Sequence, residues 1–90
     1  MGFRSSGPAG VLKAGGRIVA TLGRWDASQT ESGWTGTAAL LDTTPLYGGA
    51  PRYELRLQVG QHALRWREVT VSGENGIKFD APGDPERMPA

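Results

Sequence analysis

Hydrophobic and polar positions alternate most regularly over residues 52–59, where Tyr53, Leu55, Leu57 and Val59 interleave with Arg52, Glu54, Arg56 and Gln58. A period of two predicts a strand with one face in a core and one in water. Gly60-Gln61 follows as a two-residue turn, and glycine in its first position suits type II′. Folding about that turn sets Leu57 opposite Leu64, Leu55 opposite Trp66 and Arg56 opposite Arg65. Past Trp66 the parity changes, because Val69 and Val71 fall on the other face. One extra residue at Arg67-Glu68, a β-bulge, returns both valines to the core side. Residues 52–72 therefore predict a bent, amphipathic hairpin.

The rest of the chain reads as short strands between glycine-rich turns. Val11-Leu12 is a short strand closed by a Gly15-Gly16 turn. Residues 17–25, RIVATLGRW, are β-rich and apolar on both parities, which suits a strand covered on both faces. Residues 26–33, DASQTESG, read as a polar loop, and residues 34–41, WTGTAALL, as the next strand. If that loop closes a hairpin, Trp25 faces Trp34 and Gly23 faces Gly36, so that indoles fold across bare backbone. Residues 42–51 form a long turn region. Residues 73–76 are a second strong turn, and Ile77-Lys78-Phe79 a short last strand. From Asp80 onward three prolines predict an extended, polyproline-like tail. No helix is convincing: Ser28 and Glu31 match a capping box, but no apolar periodic run follows.

Five to six short strands of this kind predict an all-β domain, a small antiparallel barrel or sandwich resembling an SH3-like or OB-like partial barrel. Its expected span is residues 11–80. A flexible N-terminal arm (residues 1–10) and a Pro-rich tail (residues 81–90) are expected to make few contacts with it.

Composition sharpens this picture. In 90 residues, 38% apolar content with 14 glycines and 6 prolines leaves a core smaller than the chain. A net charge of +1 supplies no global field toward nucleic acid or a membrane. The absence of cysteine excludes disulfides, thiolate nucleophiles and thiolate metal sites. No apolar run reaches the length of a membrane span, and Met1 opens no apolar leader. The expected setting is cytoplasmic or within an assembled particle, with no membrane partner.

Candidate chemistry is sparse. No nucleophile elbow, phosphate loop or H-E-x-x-H motif occurs. His62, the single histidine, flanks a turn with no partner set in sight and reads as a solvated turn residue. Asp26 and Glu31 share a polar segment whose spacing does not match a calcium loop. The expectation is no catalytic residue, no cofactor and no metal. Trp66 reads as core, whereas Trp25 and Trp34 read equally well as core or as a stacking platform. The sharpest constellation is the outer pair Arg56–Arg65, with Glu54 placed near Arg67. Like charges directly opposite on a sheet are destabilising by up to about 1 kcal/mol. The pair therefore splays into water beside Glu54 and Glu68, or it meets an anion, either phosphate or a partner's carboxylate.

These features predict a non-enzymatic assembly protein. Its β core acts as a peg, and its arms bind neighbouring protein subunits. The expected contact residues are Phe3, Arg4 and Met88 on the arms, the outer arginines Arg52, Arg56, Arg65 and Arg67, and the tryptophans Trp25 and Trp34. By analogy of architecture alone, a virion head, tail or cement component has this form. The alternative is a nucleic-acid-binding barrel that uses the same arginines with Trp25 or Trp34. Near-zero net charge, and the acids Asp80, Asp84 and Glu86 toward the C-terminus, weigh against it.

Overall fold

In the computed structural model, which describes residues 2–43, 53–73 and 76–89, the hairpin has the register its alternation predicts. Arg56 lies opposite Arg65, Leu57 opposite Leu64 and Leu55 opposite Trp66. Gly60 takes a φ of 57° while Gln61 does not turn positive, the pattern of a II′ turn. Tyr53 pairs with Val69, so Arg67 and Glu68 together oppose Glu54 as a bulge. Leu55, Leu57, Trp66 and Val69 are buried, and Leu64 and Val71 pack against them.

The described residues form eight strands: β1 (Arg4–Gly7), β2 (Ala9–Ala14), β3 (Arg17–Gln29), β4 (Gly33–Thr43), β5 (Tyr53–Val59), β6 (His62–Ser72), β7 (Ile77–Pro82) and β8 (Glu86–Pro89). All pairings are antiparallel, and six strands close on one another in the cyclic order β3-β2-β5-β6-β7-β4. The anticipated small barrel is thus present, and it is closed rather than partial. It consists of two three-stranded meanders, β2-β3-β4 and β5-β6-β7. The seam β2–β5 joins their first strands and the seam β4–β7 their last. Closure removes sheet edges and turns one face of every strand inward, where Leu12, Leu22, Trp25, Leu55, Leu57 and Phe79 fill the interior.

Three expectations are corrected. First, the polar loop is shorter than its composition suggests. Asp26–Gln29 continue β3, with Asp26 outward and Ala27 buried, and the Thr30 N–H closes the turn on Gly33 O at 2.7 Å. Polar residues on the outer face hid a strand that still alternates. Second, the longer strand shifts the register, so Trp25 faces Ala38 and Trp34 faces Gln29. Indole and phenyl rings do lie over glycines, but on other strands: Trp25 sits opposite Gly7, and Phe79 opposite Gly36. A Cβ at Gly36 would stand 2.7 Å from Phe79 Cζ, so the close approach requires glycine. Third, the described residues of the two arms, 2–10 and 81–89, do not lie apart from the domain. β1 pairs with β3, and the Phe3 carbonyl accepts from the Gln29 N–H at 2.8 Å. Alternating burial of Ile77, Phe79 and Ala81 carries β7 to Pro82, and β8 pairs with His62–Arg65 of β6.

Candidate functional site

The outer face of β2-β5-β6-β8 carries a ladder of charges. Side chains two apart on one strand share a face, which places Glu54 beside Arg56, and the antiparallel register brings Arg65 and then Glu86 into the same row. Arg56 Nε donates to Glu54 Oε2 at 2.8 Å, and Arg65 donates to Glu54 Oε1 at 2.9 Å. Glu86, on β8, lies 3.0 Å from Arg67 Nε and 3.6 Å from Arg65. Partial burial alone would raise the Glu54 carboxyl. The hydrogen bonds from Arg65 and Arg56, with their charges, outweigh it and hold the group below its ordinary value.

The anion that the Arg56–Arg65 pair requires is therefore supplied within the chain. Arg67 meets Glu86 rather than Glu54, because the bulge displaces it along β6. Glu86 is the residue that sequence reasoning missed. It counted only as acid in a tail, since nothing in ERMP announces a strand.

At the end of the barrel where β3 turns into β4, Trp34 and Trp66 meet edge to face, their ring centroids 6.0 Å apart and their planes inclined by 61°. Both Nε1 atoms are buried and without a hydrogen-bond partner among the described residues. A cleft of about 420 Å³ opens there, with Thr30, Trp34, Thr70, Asp80 and Pro82 in its walls. Asp80 is oriented by the Thr35 hydroxyl at 2.8 Å.

Of the expected contact residues, Trp25 is buried, and its indole N–H donates to the Gln58 carbonyl at 3.3 Å, so it offers no stacking face. Trp34 is half-buried. Phe3 (72% exposed) precedes β1, and Arg4, its first residue, is also exposed. Met88 is half-buried opposite Ala63. Arg52 lies outside the described residues. The structure thus brings Arg56, Arg65 and Arg67 together with two glutamates, and leaves Phe3, Arg4, Trp25 and Trp34 in other places.

His62 is exposed beside its turn, and Asp26 and Glu31 are both exposed. Among the described residues no group of three or more His, Asp or Glu side chains is placed to hold a metal ion, and no helix is long and apolar enough to cross a membrane. No protein-family model matches the chain, and no curated protein or solved structure matches it.

Proposed function

We propose that this chain is a non-enzymatic interaction module that joins neighbouring protein subunits, copies of itself included, through its terminal strands. One observation carries this reading. Among the described residues, the six barrel strands satisfy one another, whereas β1 pairs only with β3 and β8 only with β6. An unpaired strand side is a template for another chain. β8 is blunted by Glu86, Arg87 and flanking prolines, the usual devices against edge pairing. β1 has a single charge, Arg4, and the exposed Phe3 ring next to it as an anchor. Because Phe3 bonds to Gln29, the alternation of an antiparallel ladder turns the backbone groups of Arg4 and Ser6 toward the open side. A multi-subunit particle, such as a virion head, tail or cement layer, is the setting that this peg-like form fits by analogy.

Two features weigh against the nucleic-acid reading. The charges of Arg56 and Arg65 are engaged by Glu54, and Trp25 is enclosed. The test is solution mass by light scattering at micromolar concentration, with and without single-stranded DNA. It is run at about 150 mM salt, where the Debye length is roughly 8 Å. The expected result is a mass above the monomer, unchanged by DNA and lowered by Ser6→Pro or Phe3→Ser. A monomer at every concentration, or DNA binding at micromolar level, overturns the proposal.

A further inference from the structure

We infer that β8 is an exchangeable strand: the C-terminal segment of one copy lies on β6 of a second, and its Glu86 completes the Arg65–Arg67 site there. This rests on the assembly reading and names the partner for one of its two terminal strands.

Four observations lead to it. Among the described residues, β8 pairs with β6 and with no other strand. Its side-chain ties are also to β6, through Glu86 to Arg65 and Arg67. Transfer to a second copy therefore preserves every one of these interactions, the general condition under which identical elements swap between subunits at low cost. The connection from β7 is three residues, Gly83-Asp84-Pro85. Gly83 sits at a φ of 71°, and its N–H is fixed to Ser32 O at 3.0 Å. Beyond that anchor, only Asp84 and Pro85 must change direction. Pro85 biases Asp84 toward extended backbone, which suits a strand continuing onto either copy. Among the described residues, the side-chain tie lost is the long, exposed contact of Gln29 Nε2 with Asp84 Oδ1 at 3.4 Å. Finally, β6 is paired to β7 only from Thr70 to Ser72 and to β8 only from His62 to Arg65, so the β8 portion can leave without unzipping the barrel wall.

The chain has no cysteine, so a pair introduced at two facing positions reports geometry without interference. Ala63 and Met88 are directly opposite, and facing residues of a ladder fall within the span of a disulfide. Ala63→Cys and Met88→Cys are made in separate full-length chains, which are unfolded, mixed, refolded and oxidised. Exchange predicts a covalent heterodimer of the two single variants, well above either homodimer, that disappears on reduction. The double variant in one chain serves as control. If it closes only within itself and the mixed singles give no heterodimer, β8 belongs to its own barrel and the inference fails. The proposed function then still stands or falls on Ser6→Pro, which touches β1 and not β8.

Discussion

Arg56 and Arg65 face each other directly across the β5–β6 ladder, and both donate to the single carboxylate of Glu54. An arrangement that is unfavourable as a pair becomes favourable as a triad. Glu54→Gln restores the bare pair and is expected to destabilise the barrel by about 1 kcal/mol, the scale of opposed like charges on a sheet. Urea titration measures this. Arg65→Gln in the Glu54→Gln background should recover most of the loss, and a cycle showing no coupling between the two positions contradicts the triad.

The same carboxylate makes stability depend on pH. Glu54 is held below its ordinary pKa, since the arginines outweigh the burial that alone would raise it. Its contribution is fully present above the unfolded carboxylate pKa and is lost as pH falls through the lower folded value. Acid titration of the melting temperature should therefore show a steeper fall for the native sequence than for Glu54→Gln. Identical acid limbs would remove Glu54 as their source.

Leu57 is fully enclosed where the β5–β6 hairpin meets β2, across from Gly10. Leu57→Ala is expected to cost about 2–5 kcal/mol. Ile18→Ala, at a side chain 60% exposed, should stay within about 0.5 kcal/mol. Comparable losses at the two positions would contradict the inward assignment of Leu57.

Trp34 contributes ring contact to Trp66, but its N–H makes no bond among the described residues. A buried donor without a partner costs about 1–3 kcal/mol. Trp34→Phe keeps an aromatic edge and removes that donor, so stability should be unchanged or slightly raised. A fall of more than about 2 kcal/mol would mean that the indole N–H is satisfied and structural.

Removing residues 84–90 uncovers His62–Arg65 of β6 and deprives Arg65 and Arg67 of Glu86. Each kcal/mol lost in a domain of this size lowers the melting temperature by roughly 4–8 °C. A drop of that order is expected on calorimetry, and an unchanged transition would show that β8 adds nothing to the fold.

How far the sequence discloses this structure follows from where periodicity and composition agree. At Tyr53–Val59 both point to a strand, and the two-residue turn fixes the register to the residue, including the bulge at Arg67-Glu68. At Asp26–Gln29 they disagree. Polar composition suggests a loop, but a strand with water on one side needs only every second residue to be apolar, and Trp25 and Ala27 suffice. The terminal strands carry no period at all. RSSG and ERMP are ordered by a ladder already laid down by β3 and β6, which no local pattern encodes. The ion cluster was half legible: the facing arginines follow from the hairpin, whereas Glu86 enters only once β8 is placed.

Closure through two seams also sets a timetable. Within each meander, hairpins join residues close in sequence and form in roughly 1–10 μs. The seams instead join the halves, Leu12 to Leu55 and Gly36 to Phe79, and long-range pairings of this kind are slow to form. Translation proceeds at about 5–20 residues per second, so the first meander waits on the order of seconds for the second. During that interval the outer strands β2 and β4 are each paired on one side only, to β3, and the future interior faces water. The ring that leaves almost no raw border in the finished protein leaves two in the nascent one, and its most exposed moment comes before the second half is made.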